Sequence, residues 1–110
     1  MVDLKDLLVE MVKREATDLH ITTDSAPQLR IDGKLLPMNM APLTAAETRR
    51  LCYSVLTEMQ RKRFEEENEL DFSFGIQNLS RFRGNIFNQR GAVAGAFRTI
   101  PFKILNFREL

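Results

Sequence analysis

Arginine is concentrated in the last third of this chain, where its side chains could recognise an anion. Residues 76–110 carry 6 Lys+Arg against 1 Asp+Glu, a net charge of +5, whereas residues 1–75 carry 10 against 14, a net charge of −4. A guanidinium group can form two parallel hydrogen bonds with a phosphate or a carboxylate. The asymmetry therefore predicts that the C-terminal third contacts an anionic group, with phosphate as the first candidate.

Two segments, 81–87 and 92–100, alternate with period two and are predicted to pair as a β-hairpin. Their bulky apolar residues then face the core: Phe82, Ile86, Val93 and Phe97. The opposite face carries arginines among small or polar residues: Arg81, Arg83, Asn85, Ala92, Ala94, Ala96 and Arg98. Small side chains leave room for another molecule, so this face is the predicted binding surface.

Two other uses of these arginines stay open. They could pair with the acidic helices of the same domain. They could also bind nucleic acid, but only Phe87 is placed to stack on a base. The overall net charge of +1 is far from the strongly basic balance expected of a nucleic-acid-binding domain. No nucleic-acid partner is therefore predicted.

The chain lacks the motifs of the common catalytic sites. It contains no G-x-x-x-x-G-K-[ST] loop, no G-x-G-x-x-G fingerprint and no G-x-S-x-G elbow. Its single histidine, His20, and single cysteine, Cys52, cannot build a site of several His or Cys ligands, and both are predicted to be structural. We therefore predict no catalytic residue, no metal and no cofactor for this chain, and a small enzyme is the least favoured alternative.

Three amphipathic segments predict helices. The first follows Asp3, a candidate N-cap, and carries the apolar stripe Leu4, Leu7, Leu8, Met11 and Val12. Capping-box patterns at Thr44 (TAAE) and Thr57 (TEMQ) predict the starts of two more helices, the last of which runs to about Glu67. After the capping box at Thr44, the sequence predicts one apolar helical stripe, formed by Leu51, Cys52, Val55, Leu56 and Met59.

The remaining pattern predicts strands. Residues 18–22 form a short one, and an Asp-Gly pair at 32–33 predicts a type I′ turn between strands 28–31 and 34–36. Alternation over 69–76 predicts a further strand before the arginine hairpin. Because no helix regularly separates consecutive strands, an antiparallel sheet with helices packed on one face is favoured over a parallel sheet. The predicted fold class is α+β.

Several short stretches resemble, in order, the N-terminal domain of the type II/IV secretion ATPase family, in particular its twitching-motility retraction motors of the type IV pilus. The resemblance covers essentially the whole chain. It is carried by TDLH at 17–20, QLRIDG at 28–33, ELDFSF at 69–74, RFRGN at 81–85, QRG at 89–91 and FRTIP at 97–101. One departure is Gly84, where relatives usually have valine, and it suggests a β-bulge.

The resemblance implies a PAS-like domain over residues 1–101, with 102–110 beginning a linker to a RecA-like ATPase domain. In this family six chains form a cytoplasmic ring at the inner-membrane platform protein, and ATP hydrolysis with Mg²⁺ drives pilus retraction. The Walker motifs lie in the second domain, so this chain is not expected to hydrolyse ATP alone. Its expected contribution is contacts to its own ATPase domain and to neighbouring subunits.

The resemblance also implies that arginines of this domain contact the phosphates of ATP bound on the adjoining ATPase domain. The matching positions are Arg83 and Arg90, with Arg81 and Arg98 as nearby candidates. The alternative is a stand-alone PAS-like adaptor that binds a ligand or a partner protein. A pocket enclosed between sheet and helices would favour the adaptor, and a flat arginine and alanine face would favour the motor module.

Overall fold

A computed structural model describes residues 2–100 of the chain. The predicted linker and Pro101 lie outside the described residues. The described elements are α1 (Leu4–Lys13), β1 (Asp18–Ile21), β2 (Gln28–Ile31), β3 (Lys34–Pro37), α2 (Ala45–Tyr53), α3 (Glu58–Glu67), β4 (Glu69–Ile76), β5 (Ser80–Gln89) and β6 (Ala92–Ile100).

The six strands form one antiparallel sheet in the order β3-β2-β1-β6-β5-β4. The first and last strands of the chain are therefore neighbours at the centre, and β3 and β4 lie at the edges. This arrangement confirms the predicted α+β fold with an antiparallel sheet.

The three helices pack on one face of the sheet. Their buried residues, including Leu8 of α1, Leu51 of α2 and Phe64 of α3, form a single cluster with inward strand residues such as Phe82 and Phe97. The alternation in β5 and β6 assigned these inward strand residues correctly, and the other face of the sheet is left without a helix. Within residues 2–100, no helix has the length and apolar character needed to cross a membrane.

Both capping boxes form as predicted. The Thr44 and Thr57 hydroxyls accept hydrogen bonds from the backbone N–H groups of Glu47 and Gln60, whose side chains accept from the two threonine N–H groups. Two neighbouring predictions were wrong: the side-chain cap by Asp3 and the continuous stripe from Leu51 to Met59. Asp3 is the N-cap residue of α1 but makes no side-chain cap, because its carboxylate lies 3.5 Å from the Arg50 guanidinium.

The predicted stripe behind Thr44 is broken between α2 and α3. The second helix ends at Tyr53, so the turn before Thr57 changes the direction of the chain. Met59 then falls on the outer side of α3 and is 77% exposed.

Two tight turns have the backbone that type I′ hairpins require. Asp32 and Gly33 have φ values of 52° and 80°, and Arg90 and Gly91 have 54° and 79°. A type I′ turn needs positive φ at both central residues, which explains Gly at the second position of each turn. The second turn sets the β5–β6 register and thus determines which outward residues meet.

Gly84 does not mark a bulge. It stands in unbroken register opposite Phe72 on β4 and Phe97 on β6. A Cβ atom at position 84 would come within 2.8 Å of the Phe72 ring and 3.1 Å of the Phe97 ring. The glycine is therefore explained by two aromatic rings that lie against the strand, and the suggested β-bulge was wrong.

Candidate anion-binding site

Arg83 and Arg98 are direct partners across the β5–β6 ladder, on the helix-free face of the sheet. Their side chains are 67% and 70% exposed. Residues directly opposite on antiparallel strands have Cα atoms roughly 4.5–5.5 Å apart. Like charges at that separation destabilise a sheet unless an anion lies close to both. This pair is the centre of the candidate site.

Asp18 on β1 holds Arg98 from one side. The Arg98 Nε–H donates to Asp18 Oδ1 at 2.9 Å, and Arg30 Nε lies 3.2 Å from Asp18 Oδ2. The Asp18 side chain is only 12% exposed. Burial raises the pKa of Asp18, but the hydrogen bond and charge of Arg98, with smaller contributions from Thr17 and His20, outweigh it and lower the pKa. Asp18 is therefore a carboxylate fixed between two guanidinium groups.

The contact with Asp18 uses only one nitrogen of Arg98. A guanidinium group has five N–H donors, one on Nε and four on the two terminal nitrogens. Asp18 engages Nε, so the terminal N–H groups are not used by this pair. They are the donors that a phosphate oxygen would need.

Asp71 on β4 contacts Arg83 from the other side, and this contact is much looser. Arg83 Nη2 lies 3.4 Å from Asp71 Oδ2, and Asn85 Nδ2 lies 3.4 Å from Oδ1 of the same carboxylate. Both partners of the ion pair are more than half exposed. Such pairs contribute about 0–1 kcal/mol, so a stronger anion can replace the carboxylate.

The surface between the two arginines is shallow and open. Arg83, Arg98 and the two carboxylates line a depression of about 280 Å³ that also includes Gly84 and Ala96. The predicted small residues thus leave space here. They do not all contribute, because Ala94, opposite Phe87, is almost fully buried.

The structure does not bring the four predicted arginines together. Arg81 is two residues before Arg83 on the same face, and its Nη2 donates to the Ser73 hydroxyl at 3.4 Å. Arg90 lies in the β5–β6 turn, seven residues beyond Arg83, which is roughly 23 Å along an extended strand. A single phosphate group near the Arg83–Arg98 pair is therefore out of reach of Arg90.

Arg90 borders a separate and more polar depression. That depression has a volume of about 450 Å³ and is also lined by Thr22, Thr23, Asp24 and Gln89. Any anion contact by Arg90 would belong to this second region, at the opposite end of β5.

Among the described residues, the two arginines of the pair do not form ion pairs with the acidic helices. Arg83 and Arg98 pair with carboxylates of the sheet itself. The helical glutamates pair instead with helical arginines, in the Arg49–Glu65 and Arg63–Glu67 pairs.

His20 and Cys52 lie on opposite faces of the sheet. His20 is half-buried on the helix-free face, opposite Ala96. Burial raises the pKa of the Cys52 thiol to about 12, which keeps it protonated and unreactive at neutral pH. Among residues 2–100 no group of three or more His, Cys, Asp or Glu side chains could hold a metal ion.

The two carboxylates that contact the arginine pair, Asp18 and Asp71, were not predicted as site residues. In a strand, Asp18 lies on the face opposite Leu19 and Ile21, and Asp71 lies on the face opposite Leu70 and Phe72. The period-two pattern therefore places both carboxylates on the outward face. The period-two pattern does not give the order of the strands. That order places β1 beside β6 and makes Asp18 a neighbour of Arg98, eighty positions away.

No protein-family model matches the chain. It is 40% identical to the type IV pilus retraction ATPase PilT of Pseudomonas aeruginosa over 109 residues, which is 99% of this chain and 32% of that protein. A crystal structure of the pilus retraction motor PilT with bound ADP superposes with a TM-score of 0.89 and 38% identity, covering 100% of this chain and 32% of that one. The chain is homologous to the N-terminal region of PilT.

Other relatives agree with this assignment. A twitching motility protein of Neisseria gonorrhoeae is 38% identical over 84 residues, 76% of this chain and 22% of that protein. The Legionella pneumophila ATPase DotB, at 21% identity and a TM-score of 0.75 over 91% of this chain and 30% of that one, shares the fold. The chain thus spans about a third of the length of PilT and its relatives.

Proposed function

We propose that this chain is the non-catalytic N-terminal module of a hexameric, ATP-driven motor that retracts type IV pili. The observation that carries the proposal is the match to PilT, which extends over the whole chain at 40% identity and whose crystal structure contains ADP. The module would contact its own ATPase domain and neighbouring subunits. The motor would work in the cytoplasm against the platform protein of the inner membrane.

Within that motor, Arg83 and Arg98, with Arg81 beside them, contact the phosphates of ATP held with Mg²⁺ by an adjoining ATPase domain. Three observations support this contact. The arginines are exposed, and Arg83 and Arg98 lie directly opposite each other across the β5–β6 ladder. The terminal N–H groups of Arg98 are not used by Asp18. Fixed cations beside a triphosphate stabilise the charge that develops during phosphoryl transfer. They also make domain closure depend on the γ-phosphate. Arg90 would serve a separate contact at the other end of β5.

The stand-alone adaptor receives less support. A ligand-binding domain of this kind needs space between the sheet and the helices. That region is filled by large side chains that are less than 2% exposed, among them Phe64, Phe82, Phe97 and Met11. The open arginine face is the feature that the motor module requires.

The test uses the complete motor that contains this domain. Arg83→Ala and Arg98→Ala should each lower kcat for ATP hydrolysis about tenfold or more, since each removes a cation from the transition state. Arg61→Ala is the matched control, because Arg61 lies on α3 against the Tyr53 ring and away from the sheet face. Unchanged kcat and KM in both sheet variants would remove the arginines from the nucleotide site. ATP turnover by the isolated 110-residue chain would contradict its non-catalytic assignment.

A further inference from the structure

We infer that the two carboxylates beside the arginine pair act on phosphate binding in opposite directions: Asp18 positions Arg98, whereas Asp71 competes with the phosphate for Arg83. The inference rests on the proposed function for the identity of the ligand, a phosphate group. It assigns to Asp18 an effect opposite to the one that its charge alone would give.

Asp18 has the geometry of a positioning residue. It is nearly buried, it lies 2.9 Å from Arg98 Nε, and its second oxygen is held by Arg30 and by the Thr17 hydroxyl at 3.2 Å. A long, mostly exposed arginine loses rotamer freedom when it binds a ligand, and fixing it beforehand removes part of that cost. Because the contact is to Nε, the fixed guanidinium keeps its terminal donors for the ligand.

Asp71 has the geometry of a competitor. Its side chain is 59% exposed, and its oxygen lies 3.4 Å from Arg83 Nη2, one of the terminal nitrogens that a phosphate would use. Its only other side-chain contact among the described residues is the equally long one from Asn85. The carboxylate occupies a donor without fixing the guanidinium through Nε.

The order of the strands separates the two effects in space. Asp18 is on β1 and Asp71 is on β4, so the carboxylates flank the arginine pair on β6 and β5 from outside. Neither lies between Arg83 and Arg98, where the two positive charges face each other. A bound phosphate could bridge both arginines while Arg98 keeps Asp18, whereas at Arg83 it competes with Asp71 for the terminal nitrogen Nη2.

The experiment is a titration of the 110-residue chain with inorganic phosphate at constant ionic strength, followed by the Nε–Hε NMR signals of the arginines. Asp71→Asn should bind phosphate about two- to fivefold more tightly than the wild type, which is the strength of an exposed ion pair. Asp18→Asn should bind it more weakly, although it also removes a negative charge. Glu69→Gln, on the same face of β4, is the matched control for net charge and should change the affinity least.

Tighter binding by both Asp18→Asn and Asp71→Asn would overturn the inference, because net charge alone would then explain the data. Equal affinities in all variants, or no binding by any of them, would also overturn it. Thermal unfolding of each variant checks that it is folded.

Arg98→Lys provides a second route to the same question. Lysine keeps the charge but has no Nε–H for Asp18, so it should weaken phosphate binding about as much as Asp18→Asn. The double variant should lose no more than either single one, and additive losses would contradict positioning through Nε. These outcomes are separate from the motor assay. Loss of ATP hydrolysis in Arg83→Ala alongside a failed phosphate titration would leave the proposed function standing and reject only this inference.

Discussion

Gly95 on β6 lies directly against Cys52 on α2. A Cβ atom at position 95 would come within 2.9 Å of the Cys52 sulfur and 3.1 Å of the Phe97 ring. Both neighbours are fully or almost fully buried. The close approach of α2 to the centre of the sheet therefore depends on the absence of a side chain at this position.

Gly95→Ala should destabilise the chain by about 1–3 kcal/mol, the usual cost of an extra methyl group in a packed core. Urea unfolding of the 110-residue chain measures it. Cys52→Ala is the matched partner, because it removes the sulfur that the new methyl group would contact. The double variant should recover part of the loss, so that the two effects are less than additive. A cost below about 0.5 kcal/mol for Gly95→Ala would contradict this account of the packing.

The Cys52 thiol should be unreactive in the folded chain. Burial raises its pKa to about 12, so almost no thiolate is present at pH 8. A thiol reagent should modify it only at the rate at which the chain unfolds, and fast modification under native conditions would be inconsistent with this environment.

The same pKa shift predicts how stability changes at high pH. An unfolded thiol titrates near pH 8.5, so the folded state, with its raised pKa, is relatively destabilised as pH increases above that value towards 12. Unfolding free energies at pH 7 and pH 10 should therefore differ more for the wild type than for Cys52→Ala. Equal differences would contradict the assignment.

Asp18 should stabilise the fold at neutral pH and lose that effect in acid. Its pKa is lowered in the folded state, so its contribution is present above the unfolded value of about 4 and disappears as pH falls through the folded value. Asp18→Asn should cost about 1.5–3 kcal/mol at pH 7, the range for hydrogen bonds to charged groups. Urea unfolding should show the difference between the two chains decreasing as the pH is lowered below about 4. A difference that persists unchanged at pH 3 would exclude ionisation of Asp18 as the cause.

Local patterns predicted the elements of this fold well. The capping boxes at Thr44 and Thr57, the Asp32-Gly33 turn and the alternation in β4 each depend on residues close in sequence, and all of them form. The errors arose where a distant residue intervened. Asp3 pairs with Arg50 of α2 and does not cap its own helix, and Gly84 accommodates the rings of two neighbouring strands.

The candidate site was predicted only in part for the same reason. Strand parity placed Arg83 and Arg98 on one face, but their direct opposition depends on the β5–β6 register, which the Arg90-Gly91 turn sets. The same register places Arg90 in the turn, at the end of the hairpin that is distant from the Arg83–Arg98 pair. The contribution of Asp18 depends on the β1–β6 pairing, which joins the first and last strands of the chain.

The central claim is that the Arg83–Arg98 pair binds phosphate groups. The most direct test is to add tripolyphosphate, which has the linked phosphates of ATP without the base, to the 110-residue chain and map the NMR changes. The account predicts that the guanidinium signals of Arg83 and Arg98 and the amide of Ala96 move together, in a saturable way that Arg83→Ala abolishes. Changes confined to Arg90 and Thr22, or no saturable change anywhere, would contradict it.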